Sequence, residues 1–233
     1  MDLQGVDNDD DGVIDPTGTI DGVVREPDAV AWVDDEHLAT ANEGDWKGGS
    51  RGWTVFDTAG NITWDAGNSI EEIANTYGLH DEDRAGKKGP EIEGLATATM
   101  NGTRYAFVAS ERSNFVAVYD MSDPASPKFV QTLFSTNGPE GILPIESRGI
   151  LAVSSEKDEA DKGVRSAINV YQLGGSTPET PQPSIMSGTD DNGVAVPWTA
   201  LGALSGDKSD AGTIYAASDS ALDRGYIYTV DVT

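Results

Sequence analysis

The stretch YAFVASERSNFVAVYD, Tyr105 to Asp120, reads as two strands joined by a charged corner. Two apolar runs, Tyr105–Ala109 and Phe115–Tyr119, flank Glu111 and Arg112. In the second run Phe115, Ala117 and Tyr119 point one way and Val116 and Val118 the other, the period-2 alternation of a β-strand. Small residues and an acid close the first run, and polar residues open the second, as at a hairpin turn.

The same order returns three more times. A turn-like lead, EPDAVAW from Glu26, GPEIEGLA from Gly89, GPEGIL from Gly138 and VPWTALGAL from Val196, precedes an apolar strand that ends in small residues and an acid. Those strands are HLATANEGD, YAFVASERS, ILAVSSEKD and IYAASDSA, and the closing acids are Glu43, Glu111, Glu156 and Asp219. A third strand follows in each: GWTVFD, FVAVYD, AINVYQ and YIYTVD. Units of about 40–50 residues, each part of an up-and-down four-stranded sheet, predict an all-β chain and a β-propeller of about four to five blades, complete or part of a larger ring. A β-sandwich also uses short, evenly spaced strands. Variable insertions between units favour the propeller, whose blade-joining loops tolerate changes of length. Thr19–Val24 is placed to complete the last blade.

The insertion SIEEIANTYGLHDED breaks the β pattern. Ile70, Ile73, Ala74 and Tyr77 fall at helical spacing, Ser69 is positioned to cap, Glu71 and Glu72 fill the first turn and Gly78 is a stop. The Pro-, Thr- and Ser-rich GGSTPETPQPS reads as a linker or long loop. The chain divides into an acidic segment (1–24), repeated blades (25–173), a linker (174–195) and a last unit (196–233). In a propeller the repeated acids would ring one mouth of the central channel, where they could hold cations or polar ligands. Alternatively, each acid only solvates a strand end or pairs with a nearby base such as Arg112.

Composition narrows the function. Among 233 residues, 40 acids stand against 15 bases, a formal charge of -25. That opposes binding to nucleic acid or anionic membranes and suits cations or a salty milieu. There is no cysteine, so disulfides, thiolate metal sites and Cys nucleophiles are excluded, and two histidines, His37 and His80, nearly exclude a multi-histidine site. Mean hydropathy is -0.38, and no apolar run approaches the ~20 residues of a membrane helix. The polar, acidic start is not a signal peptide; the chain is either intracellular or lacks its targeting segment.

Local motifs add candidates. In DNDDDGVID, Asp7, Asp9, Asp11 and Asp15 alternate, with Gly12 for a sharp turn, and suit a short Ca²⁺ loop; the match to an EF-hand fails because the twelfth position is Gly18. The other reading is an unstructured acidic terminus. GGSRG (48–52) fits G-x-S-x-G formally, but a strand rather than a helix follows Ser50, which argues against a nucleophile elbow. In DRAGKKGPEIEG, Arg84, Lys87 and Lys88 are positioned to hold phosphate; alternatively they neutralise Glu91 and Glu93 in a solvated loop. The sequons at Asn61 and Asn101 matter only in a glycosylating cell.

EPDAVAW…TANEGD, GPEIEG…YAFVASERSNFVAVYDMSDPASPKFV and GPEGIL…LAVSSE resemble the bacterial choice-of-anchor I proteins, a group related to the esterase-like, phytase-like β-propellers often labelled alkaline phosphatases. WTALGALSGD…TIYAASDSA…IYTVDV resembles the opening of the phytase-like domain. The resemblance implies a propeller, an extracellular, periplasmic or cell-surface location, and calcium-assisted hydrolysis of phosphomonoesters. Family members are generally longer, so the chain resembles a fragment or an incomplete ring. On this reading Glu43, Glu111, Glu156 and Arg112 are the catalytic residues, the three acids hold Ca²⁺ together with Asp28, Glu93 and Glu140, Arg84, Lys87 and Lys88 bind the phosphate of a small-molecule substrate, and Arg112 or the Lys87–Lys88 pair holds its oxygens. The acids are assigned by repeat position alone, since no catalytic residue of the phytases has a counterpart here. The competing expectations are a non-catalytic module that binds a surface polysaccharide or protein, and a propeller fragment without activity.

Overall fold

A computed structural model describes residues 2–3, 18–19, 24–44, 50–85, 88–174, 185–191, 193–219 and 225–233. The chain is mostly β. It forms four small antiparallel sheets, each a meander in which sequence neighbours pair. A two-residue ladder precedes them, β1 (Asp2–Leu3) with β2 (Gly18–Thr19). Thr19 thus pairs with Asp2 in this ladder, and residues 20–23 of the stretch expected to complete the last blade lie outside the described residues.

The first sheet is β3 (Pro27–Trp32), β4 (His37–Asn42), β5 (Gly52–Asp57) and β6 (Ile62–Asp65), in that order. The insertion follows as α1 (Ser69–Thr76) and the short α2 (Glu82–Ala85). The second sheet is β7 (Ile92–Met100), β8 (Thr103–Ser110), β9 (Phe115–Asp120) and β10 (Lys128–Phe134). The third, β11 (Pro139–Ile145), β12 (Ile150–Ser155) and β13 (Ala167–Gln172), has three strands, as does the fourth, β14 (Leu201–Gly206), β15 (Thr213–Ser218) and β16 (Ile227–Asp231). Among the described residues the four-stranded expectation therefore holds for two of the four units.

The hairpin of the opening stretch is β8–β9, paired from Tyr105↔Asp120 to Ser110↔Phe115, with Asn114 in the left-handed region (φ 56°) closing the corner. Its alternation serves two cores rather than a core and solvent. Phe115, Ala117 and Tyr119 face a cluster shared with the first sheet and α1, which includes Trp53, Val55, Ile70 and Ala74. Val116 and Val118 face a second cluster, with Leu151 and Val153 of the third sheet. The second sheet is thus the middle of three layers, and β7, its first strand, lies alongside both β3 and β11. The Thr97 hydroxyl on β7 donates to the Trp32 carbonyl on β3 (2.6 Å). Fully buried Trp53 joins the first two layers, its ring 4.7 Å from that of Trp64 and 4.8 Å from that of Tyr119.

Helix α1 differs from expectation at its start. Asn68, not Ser69, is the capping position, and no side chain caps the helix. The Asp65 carboxylate accepts from the Gly67 N–H (2.9 Å), and this local turn delivers the chain into the helix one residue early. Gly78 lies just beyond the helix in the left-handed region (φ 65°), as a stop residue should.

Candidate functional site

Every sheet begins with the same irregularity. The β3–β4 register slips between Pro27 and Ala29, β7–β8 between Ile92 and Leu95, β11–β12 between Pro139 and Gly141, and β14–β15 between Leu201 and Ala203. Each slip inserts one extra residue in the first strand, a β-bulge that turns a side chain out of the ladder. Asp28, Glu93 and Glu140 sit at the bulges of the first three sheets, and Gly202 at the fourth. A small residue follows in each case: Ala29, Gly94, Gly141, Ala203. At Gly94 a Cβ would collide with the Glu140 carbonyl, so neighbouring first strands approach closest here.

The closing acids are seated by one repeated bond. The N–H of Glu43 donates to the Glu26 carbonyl (3.1 Å), that of Glu111 to Glu91 (2.8 Å), that of Glu156 to Gly138 (2.9 Å) and that of Asp219 to Ala200 (2.7 Å). Bulge and bond together set two acids side by side in each of the first three sheets: Asp28 with Glu43, Glu93 with Glu111, Glu140 with Glu156.

These three pairs form one electrostatic group. Burial, the charges of Glu111 and Glu43, and a hydrogen bond with Glu111 push the Glu93 carboxyl up to about 8, with Glu140 adding to the rise. Glu93 therefore keeps its proton well above the ordinary carboxyl range, beside Glu111. Partial desolvation and the Glu156 charge raise Glu140, with contributions from Asp28 and Glu111. Asp28 is raised by desolvation and by Glu43, while Lys88 opposes the rise. The group is graded in depth: Glu111 is buried, Glu43 and Glu93 are half-buried, and Asp28, Glu140 and Glu156 are at the exposed rim.

The insertion brings bases to the same place. Lys88 Nζ pairs with Glu43 Oε1 (2.6 Å). Arg84 pairs with Glu91, and Arg112 bridges Glu91 Oε2 through Nε (2.8 Å) and Glu111 Oε1 through Nη1 (2.8 Å). Glu91 is fully buried, with φ 43°. Arg84 neutralises Glu91 as the second sequence reading has it, whereas Lys88 neutralises Glu43 rather than Glu93, and both do so at a gathered site rather than in a solvated loop. Glu91, which sequence reasoning counted only as an acid to be neutralised, is the buried anchor of two guanidiniums. Its signal was its alignment, three residues before Gly94, with Glu26 and Gly138.

The other candidates fall elsewhere. Asp7, Asp9, Asp11, Asp15 and Lys87 lie outside the described residues. Asp219 is exposed and lies against Gly202, and the leading charges on Glu93, Glu140 and Asp28 include none from the fourth sheet. Ser50 is buried and leads into β5. His80 is buried, and His37 pairs with Asp34 (2.9 Å).

The donor set fits a hard cation. One carboxylate oxygen each from Glu43, Glu91 and Glu93 lie within 4.8 Å of one another. Oxygens bound at about 2.4 Å to one Ca²⁺ are at most about 4.8 Å apart. Glu91 is paired with Arg84 and Arg112, Glu43 with Lys88 and Glu111 with Arg112, so a cation would compete with these bases, while Glu93 and the rim acids Asp28, Glu140 and Glu156 add carboxylates beside them.

Fold and site define a β-meander repeat protein whose first three sheets gather paired acids, and inserted bases, at one end of their first strands. Residues 46–124 match the model of the choice-of-anchor I domain, which bears out that part of the resemblance. The match spans β5 and β6, the insertion and the β7–β9 strands. No curated protein matches the chain. Among solved structures it is similar to a functionally unknown protein from Desulfotomaculum acetoxidans, at 11% identity and a TM-score of 0.41, over 89% of this chain and 56% of that one. The chain thus spans little more than half the length of that structure.

Proposed function

We propose that the three contacting sheets are adjacent blades of a β-propeller, first strand innermost, and that their acidic mouth binds Ca²⁺ and, through it, the phosphoryl group of a phosphorylated small molecule. The observation that carries this reading is the convergence of six carboxylates from three sheets beside Lys88, Arg84 and Arg112. Meander order, the close approach of β7 to β3 and β11, and the repeated bulge support the propeller.

When bound, calcium would polarise a phosphoryl oxygen and lower the pKa of an attacking water. The chain's own groups do the rest. Arg112 and Arg84 offer planar forks to phosphate oxygens and Lys88 a point charge, each already turned toward the mouth by its acid partner. The Glu93 carboxyl, pushed up to about 8, can take up or release a proton at its own oxygens, the role of general acid or base in phosphoester hydrolysis. Among the described residues no histidine reaches the mouth, so this work falls to carboxylates.

Release of phosphate from phytate and p-nitrophenyl phosphate, with and without Ca²⁺, tests the reading. Calcium-dependent turnover that falls in Glu93→Gln supports hydrolysis; absence of turnover in the full-length protein removes it. The lack of a histidine at the mouth favours a second reading, a non-catalytic surface module in which calcium stiffens the loops for a polysaccharide or protein partner. Under that reading Glu111→Ala lowers the melting temperature in Ca²⁺ and changes no turnover. A cell-surface or extracellular location accords with the choice-of-anchor match. Among the described residues no helix is long and apolar enough to cross a membrane.

A further inference from the structure

Arg51 stands just before β5 and is almost wholly buried, an unusual place for a guanidinium. It is not at the mouth. Its Nη1 donates to the Ala85 carbonyl (2.6 Å) and pairs with Glu71 Oε1 (3.3 Å), a fully buried carboxylate on α1. Its stem runs between two glycines with positive φ, Gly44 (89°) and Gly89 (61°). A Cβ at Gly44 would lie 3.1 Å from Arg51 Cγ, and one at Gly89 would lie 3.1 Å from Arg51 Cδ and 2.9 Å from Glu71 Oε1. Gly44 follows Glu43, and Gly89 lies between Lys88 and Glu91. The side chain therefore packs beneath both backbones that deliver charged groups to the mouth.

A buried ion pair contributes little net stability compared with apolar residues of the same volume, because desolvation offsets the attraction. What Arg51 supplies that an apolar residue would not is direction: one hydrogen bond to the end of α2 and one ion pair to α1. Arg84 is the residue before Ala85, and the Gly89 N–H donates back to the Arg84 carbonyl (2.9 Å), so that bond and Lys88 lie on the same tethered turn.

We propose that Arg51 is a positioning residue for the anion-binding half of the mouth, holding the turn that carries Arg84 and Lys88 so that both reach their acids beside the cation ligands. The inference rests on the phosphate-binding reading above. It concerns the insertion and not the repeats: the insertion supplies Arg84 and Lys88, and Arg51 locks it to the sheet.

Amide hydrogen exchange and calorimetric titration of inorganic phosphate, both on the whole chain in Ca²⁺, test it. Arg51→Met should speed exchange at Gly89 by about tenfold and weaken phosphate by a similar factor, the effect of one lost charge-assisted hydrogen bond. Exchange in β8–β9 and calcium affinity should stay unchanged. In the Arg51→Met background, Arg84→Gln should no longer weaken phosphate, because Arg84 is already misplaced; two independent structural effects would add instead. Unchanged exchange at Gly89, or a full Arg84→Gln effect in that background, overturns the proposal. If Arg51→Met loosens β8–β9 as well, Glu71→Gln, which keeps the shape, is read in the same way: faster exchange confined to the Gly89 turn supports the proposal and no change overturns it. If the wild-type protein binds no phosphate, the anion-site reading fails by itself, and Gly89 exchange still decides whether Arg51 holds the turn.

Discussion

Raising the pH from about 6 to about 9 without calcium should destabilise this protein, and Glu93 sets the sign. Glu93 titrates near 8 in the folded protein against an ordinary 4.5. A carboxyl raised on folding contributes stability that is full below its ordinary value and is lost as pH rises through the folded value. Between about pH 6 and pH 8 the folded state keeps a proton that the unfolded chain has released, at up to ~1.4 kcal/mol per pH unit, or ~3 kcal/mol in all. Glu93 is only half-buried, and solvent screening reduces this to about 1 kcal/mol. For a chain of this size that is a fall of about 2–4 °C in melting temperature. Calcium should suppress the fall by replacing the Glu93 proton, and Glu93→Gln, which mimics the protonated carboxyl, should flatten it. Thermal melts across this range, at high salt to screen the general charge, read the effect. A melting temperature that is flat or rises in the calcium-free wild type, or an undiminished slope in Glu93→Gln, would refute the reasoning.

Other expectations follow from the same geometry. Gly94→Ala forces β7 away from the Glu140 carbonyl and should cost about 1–3 kcal/mol in urea unfolding, with weaker calcium binding alongside. Trp53→Ala opens a cavity between the first two sheets and should cost about 3–5 kcal/mol by the same measurement, with calcium binding altered only as far as the layers shift. Glu140→Gln removes a rim carboxylate and should weaken calcium about tenfold by calorimetry, whereas Asp219→Asn, in the fourth sheet, should leave affinity unchanged.

Much of the site was legible because it is repeated. The eye needs only local order to see that Glu43, Glu111 and Glu156 each close a strand, and that Asp28, Glu93 and Glu140 each follow a turn. Glu91 and Arg51 were not legible. Their roles depend on burial produced by contacts between sheet, helix and loop far apart in the chain: Arg51 with Ala85, Glu91 with Arg112. Asp219 shows the converse, since its local sequence matches the other corners, yet with Gly202 at its bulge it has no acid partner there.

The alternation of apolar residues, the turns and the position of each acid relative to its strand were determined by the sequence alone, because they depend on backbone periodicity over a few residues. That both faces of β9 are buried, that the first three sheets gather their acids while the fourth does not, and that inserted bases meet those acids was decided only by tertiary packing. These outcomes depend on which sheet lies against which, and on the low dielectric and close approach that packing creates, neither of which a strand's own residues specify.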